Sequence, residues 1–211
     1  CSVSASSVSD ANHFLDTVLG EKVPALIEDY QSLYPFAITL PSYFEIPSTN
    51  IITNRALQVD VSHGEYRGFQ DTVKRLGDCQ APVLRDGKTS IKCTLDFAGM
   101  TANYTTMVRS GTFYRGLKAL STIRRVFSCA VFNSFRDHRL GQLTTQLRTF
   151  EVPHLHFTTL YNSDLHLNTE RQRQFKAHIE AKVKQTLQEA LYADYKLQLT
   201  RAVAATPFPN V

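Results

Sequence analysis

His154, His156 and His166 cluster ahead of the last long helical pattern, and imidazoles grouped in this way could hold zinc. On a strand, His154 and His156 point to one face, as two ligands of one ion would. A turn at Asn162-Ser163, however, sets His166 opposite Thr159 and turns it to the other face, so the third ligand is lost. The better reading is surface or half-buried histidines, and no metal is expected. Asp137-His138 with nearby serines has the residue types of a catalytic triad, but arginines flank it in a loop-like stretch and a charged turn explains it. The chain has no Gly-x-Ser-x-Gly, phosphate-binding glycine loop, dinucleotide fingerprint or paired-cysteine zinc spacing. The expectation is a protein that is not an enzyme and uses no cofactor.

The cysteines carry a different chemistry. Cys79 and Cys93 flank Asp86-Gly87 almost symmetrically, so a hairpin turning there brings them within disulfide reach. That bridge is favoured over two free thiols. Asn103-Tyr104-Thr105 is an N-glycosylation sequon on a β-leaning run, and with the disulfide it points to a secreted, extracellular protein. Cys129 sits in an apolar run and reads as a small buried thiol, while Cys1 is open to pairing with it or with another chain. Arg124, Arg125, Arg136, Arg139 and Arg148 make a basic set suited to an anionic lipid head group or an acidic partner. Arg171, Arg173, Lys176, Lys182 and Lys184 read as a solvated helix face. They lack the interleaved aromatics and strong basic excess that nucleic acid demands.

Long elements must position these residues. Asn168 and Thr169 are preferred N-cap residues, and Thr169 with Gln172 has capping-box spacing. Phe175, Ile179, Val183, Leu187, Leu191 and Tyr195 then recur every fourth residue, predicting a helix over about 169–203, roughly 50 Å long. Four residues overshoot one turn, so the stripe drifts by ~40° per step and spirals. After Glu189, Ala190, Leu191, Ala193, Leu197, Leu199, Ala202 and Val203 broaden it, which makes the C-terminal half the more enclosed end. A helix this long needs a wrapper along its axis.

Ser9 or Asp10 can cap an N-terminal helix over about 10–34, with Pro24 kinking or splitting it near Gly20 to Val23. Pro35, Pro41 and Pro47 punctuate an extended connection, read as a loop packed on the body. Strands are expected over about 51–167. Leu57, Val59 and Val61 alternate with polar residues, as do Ile91, Cys93, Leu95 and Phe97. A hairpin from Glu151 to Leu167 closes this region. The order of helix, antiparallel strands and helix is α+β. Its simplest closure is a highly curved antiparallel sheet wrapped around the C-terminal helix. At 211 residues with no Pro- or Gly-rich linker, one domain over 1–211 is expected. A net charge of +4 is too small to dictate a partner, and no apolar run approaches the ~20 residues of a membrane span. Cys1 followed by the polar run Ser2 to Asp10 is not a leader, and fits a mature product from which one was removed.

Leu76-Gly77-Asp78-Cys79, Asp86-Gly87, Ile91 to Leu95 and Asn103-Tyr104, followed by Val152 to Asn168 and the terminal helix, together resemble a known group. They look like secreted arthropod proteins related to the group 7 mite allergens, and especially tick salivary relatives. Those belong to the tubular lipid-binding superfamily of bactericidal permeability-increasing protein, juvenile-hormone-binding and takeout proteins. The mite allergens lack the Cys79 and Cys93 pair, so the likeness is closer to the tick branch. The resemblance implies a curved sheet around a long helix, an apolar pocket, non-enzymatic lipid carriage, and a role in defence or at the host interface. Candidate pocket residues are the inward positions of both helices: Phe14, Leu15, Val18, Ile27, Tyr30, Ile179, Val183, Leu187 and Leu191. Aromatics in Phe113 to Tyr114 and Phe127 to Phe135 would line the same cavity. The expected function is a secreted binding protein for lipids or other apolar or amphipathic molecules. The alternative is a salivary effector that binds a host immune or haemostatic protein through its surface on the same scaffold.

Overall fold

Backbone chemistry at the N-terminus starts the fold two residues before the first expected cap. In the computed structural model, which describes residues 7–28, 36–50, 55–110, 113–123, 129–137, 145–151, 157–161 and 167–209, helix α1 spans Val8–Thr17. Its N-cap is Ser7, whose hydroxyl accepts the Asp10 N–H at 3.2 Å while the Asp10 carboxylate accepts the Ser7 N–H at 2.7 Å. This capping box, with aspartate as its acid, displaces Ser9 and Asp10 from the cap. The same two Ser7 groups hold the Asp10 carboxyl below the ordinary carboxylate range.

The break expected at Pro24 is a π-helical turn, π1, over Val18–Lys22. Val23 donates to the Val18 carbonyl five residues back, immediately before the proline that has no N–H to give. Helix α2 continues over Val23–Glu28, and the remaining stretch expected to be helical, to residue 34, lies outside the described residues.

The proline-punctuated connection is a correction: it forms a strand, β1 (Phe36–Ile46). Following strands are β2 (Leu57–Arg67), β3 (Lys74–Arg75), β4 (Val83–Arg85), β5 (Lys88–Asp96), β6 (Thr101–Ser110), β7 (Phe113–Ile123), β8 (Cys129–Asp137), β9 (Thr145–Glu151) and β10 (Phe157–Tyr161). β1 is a sheet edge, and its register against β2 slips between Thr39 and Ser42 around Pro41. An edge strand at a bulge is where a residue without a donor costs little, so Pro41 does not forbid the strand.

Among the described residues, the strand pairings are all antiparallel and fall into two sheets. One has the order β1-β2-β6-β7-β10; the other runs β3-β5-β8-β9 with β4 also on β5. The turn and second arm of the expected Glu151 to Leu167 hairpin lie outside the described residues, and its first arm contains β10. β9 pairs β8 while β10 pairs β7, from Phe157 opposite Ile123 to Tyr161 opposite Ala119, so β9 and β10 belong to different sheets. The turn at Asn162-Ser163 and all three histidines, His154, His156 and His166, lie outside the described residues.

The C-terminal helix runs from Thr169 to Ala205 as α3 (Thr169–Ala190), the π turn π2 (Leu191–Tyr195) and α4 (Lys196–Ala205), about 55 Å in all. Its cap is Asn168, which accepts the Arg171 N–H at 3.0 Å, rather than a Thr169 box. Phe175, Ile179, Val183, Leu187, Leu191, Tyr195, Leu199 and Val203 are all buried although a four-residue step drifts. The wider π2 turn takes back part of that drift, and the wall around the helix changes along its length.

Around α3 the wall is the first sheet. α3 lies against β1 and β10, which are that sheet's two edges. Five flat strands at about 4.8 Å spacing would hold the edges about 19 Å apart, wider than a helix of about 10 Å. The sheet therefore curls around α3, as the expected α+β fold requires. α4 instead packs on β9, α2 and π1. Ala190, Leu191, Tyr195, Gln198, Leu199, Ala202 and Val203 are buried, so the C-terminal half is well enclosed, although Leu197 and Ala193 face out.

Candidate functional site

Inside the curl the sheet holds the helix through hydroxyl groups. Tyr66 of β2 donates to the Val183 carbonyl at 2.8 Å and lies 2.7 Å from the Tyr104 hydroxyl of β6. Both phenols meet the Thr186 hydroxyl, which donates to the Lys182 carbonyl at 3.0 Å. Burial pushes both phenol pKa values up, with the neighbouring Tyr104 adding to the rise at Tyr66, so the groups stay protonated and can donate. Tyr66→Phe removes the bond to Val183 while Tyr104 and Thr186 keep each other. A loss of about 1–3 kcal/mol is expected, read from urea unfolding with an unchanged m-value.

Farther along, Tyr195 packs its ring against Phe69, Phe97 and Phe150, with centroids 5.8, 6.3 and 6.0 Å away. Its hydroxyl and the Gln198 Nε2 are buried without a hydrogen-bond partner among the described residues. Arg171, at the first turn of α3, is only 4% exposed. Its Nη2 donates to the Arg55 carbonyl at 2.6 Å, its Nε has no partner among the described residues, and burial lowers its pKa.

The proposed pocket side chains are inward, as their spacing predicts. Phe14, Leu15, Val18, Ile27, Ile179, Val183, Leu187 and Leu191 all belong to one buried apolar cluster. Tyr30 lies outside the described residues, as do the side chains of Phe113 to Tyr114 and Phe127 to Phe135. A groove of about 660 Å³ opens elsewhere, between the N-terminal helix and the segment around β3, and none of the eight described candidates lines it. Asp16, Gly20, Asp71 and Lys74 are among its walls. Arg75 is already neutralised there, giving two 3.0 Å bonds to the Asp16 carboxylate. With Asp16 and Asp71 beside Lys74 and Arg75, that is a surface of mixed charge.

The surface feature that stands out is the hairpin of β4 and β5. Asp86 and Gly87 both have positive φ, 52° and 71°, the paired left-handed geometry that a two-residue hairpin turn requires. Arg85 consequently sits opposite Lys88, and Val83 opposite Ser90. The Cys79–Cys93 disulfide closes the base, with the Gln80 N–H donating to the Lys92 carbonyl at 2.8 Å beside it. Asn12 ties this base to α1, accepting the Cys79 N–H at 2.8 Å and donating to Asp78 at 2.9 Å. Beyond the staple, β4 is exposed throughout: Val83 is 53% and Leu84 56% accessible. The spacing of Cys79, Asp86-Gly87 and Cys93 identifies the hairpin; that β4 lies bare needed the tertiary structure.

Other expected sites are placed as follows. Asn103 is half-buried on β6, its Nδ2 3.3 Å from Glu65 Oε1. Cys1, Arg124, Arg125 and Arg139, and the side chains of Cys129, Arg136 and Arg148, lie outside what is described. Among the described residues, no three His, Cys, Asp or Glu side chains come together as a metal site. Nor is any described helix long and apolar enough to cross a membrane.

No family model matches the chain. It is similar to the salivary anticoagulant protein P23 of Ixodes scapularis, with 40% identity over 205 residues that cover 97% of this chain and 91% of that protein. At that identity over nearly the whole of both chains, this protein belongs to the family of the tick salivary anticoagulant protein P23.

Proposed function

We propose that this protein is a secreted salivary anticoagulant that works without catalysis, by docking its surface onto a host haemostatic protein. The observation that carries this reading is its near full-length identity with a protein named for anticoagulant action. Two structural features support it. The inward helix residues pack into one continuous core, and a rigid hairpin carries aliphatic side chains in the open. Added to recalcified plasma, the purified chain should lengthen the clotting time in proportion to its concentration. Plasma that clots at the control rate at every concentration would contradict the reading.

Lipid carriage is the second reading. It draws support from the curl of the first sheet around α3 and from the resemblance to tubular lipid-binding proteins. The Tyr195 hydroxyl and Gln198 Nε2, unpartnered among the described residues, add polar points to an apolar interior. Native mass spectrometry of protein from its natural source, with organic extraction, tests it: a co-purifying lipid supports carriage, and a ligand-free mass removes it. Use of Asn103 as a glycan acceptor is a separate proposal, checked by a mobility shift after peptide-N-glycosidase treatment and its loss in Asn103→Gln.

A further inference from the structure

We infer that the disulfide-stapled β4–β5 hairpin is the docking surface, and that its occupant is an acidic, apolar-rimmed recess on a host clotting protein. This rests on the surface-binding reading above and names its contact. Folding alone does not account for the hairpin tip. Val83 and Leu84 are adjacent strand residues, so they point to opposite faces, yet each is more than half exposed and hides little apolar area. Arg85 and Lys88 stand directly opposite one another, an arrangement of like charges that destabilises a strand pair. Lys92 lies on the same face of β5 as Lys88, which adds a third cation.

Lys88 has interactions of its own, and the acid beside Arg85 does not cancel the guanidinium. Arg85 Nε is 3.9 Å from Asp86 Oδ2 with the two side chains 88% and 81% exposed, a pair too solvated to hold the guanidinium in place. Asp137 occupies the register position opposite Lys88 on β8. Arg85 at the tip and Lys92 toward the base are left facing outward, flanked by Val83. A cation set of this kind steers toward carboxylates, and a guanidinium anchor beside aliphatic side chains matches the composition of binding hot spots. The staple adds preorganisation. With Cys79–Cys93, the Asn12 tie and the tight turn fixing the backbone, little conformational entropy is lost on docking.

The test compares the full-length wild type with Arg85→Glu, Lys92→Glu, and a Val83→Ser/Leu84→Ser double variant, using delay of clotting in recalcified plasma. Lys184→Glu, on the exposed side of α3, serves as the surface-charge control. All altered side chains are exposed, so an unchanged thermal midpoint and an intact disulfide certify the fold. The expected result is that Arg85→Glu and the double variant need at least about tenfold more protein for the same delay, with Lys184→Glu unchanged. An active wild type with hairpin variants of equal potency overturns the surface and leaves the anticoagulant reading standing. An inactive wild type removes both. Vesicles of phosphatidylserine and phosphatidylcholine form the second arm: co-sedimentation of wild type that Arg85→Glu abolishes would overturn the protein partner in favour of an anionic membrane.

Discussion

Replacing Cys79 and Cys93 together by alanine lowers the stability of the protein by roughly 3 kcal/mol, the chain-entropy value for a loop of this size. The two cysteines are 14 residues apart in sequence and both are buried. Opening the bridge frees the unfolded chain and also leaves two small voids, and both effects act in the same direction. Alanine avoids adding buried hydroxyls that would confuse the reading. The loss is read as a fall in the thermal midpoint of the double variant against wild type. Anticoagulant potency should fall with it even well below that midpoint, because β4 is paired with β5 alone among the described residues. The hairpin base is then held by hydrogen bonds such as those of Asn12, Gln80 and Leu76, with no covalent tie. A double variant of wild-type stability would mean that these bonds suffice without the disulfide.

Leu187→Ala is expected to cost about 2–5 kcal/mol, measured by urea unfolding. Leu187 is fully buried on α3, immediately after Thr186, whose hydrogen bonds with Tyr66 help fix the helix to the curled sheet. In a filled core, truncating it removes apolar contacts and leaves a void that the clamped helix cannot close. Beside an open ligand pocket the same change merely enlarges existing space, and the cost falls below about 2 kcal/mol. The size of the loss therefore separates the two interiors that the terminal helix admits.

That separation is also where reading the sequence stops. Spacing alone places Phe14, Leu15, Val18, Ile27, Ile179, Val183, Leu187 and Leu191 inward, and they are inward. Whether side chains facing them fill the interior depends on residues distant in sequence. The alternating runs 57–61 and 91–97 and the Cys79, Asp86-Gly87, Cys93 spacing are local signals, and each forms what it predicts. Partner choice is not local. β10 pairs with β7, more than thirty residues earlier, and nothing in its Thr- and Leu-containing pattern names that partner. Pro41 argues against a strand only where its missing donor is needed, and an edge bulge does not need it. The π2 turn leaves no mark in an apolar stripe already spaced by four. The exposure of Val83 and Leu84 was equally hidden, since Val-Leu-Arg before Asp-Gly reads as an ordinary half-buried strand.

The most direct measurement is thrombin generation in recalcified plasma, with purified protein first stripped of lipid by organic extraction and refolding with the disulfide intact, then tested beside an untreated sample. If the surface does the work, both samples delay thrombin generation equally and in proportion to concentration. No delay from either sample, or a delay that vanishes with the extracted lipid, would contradict it.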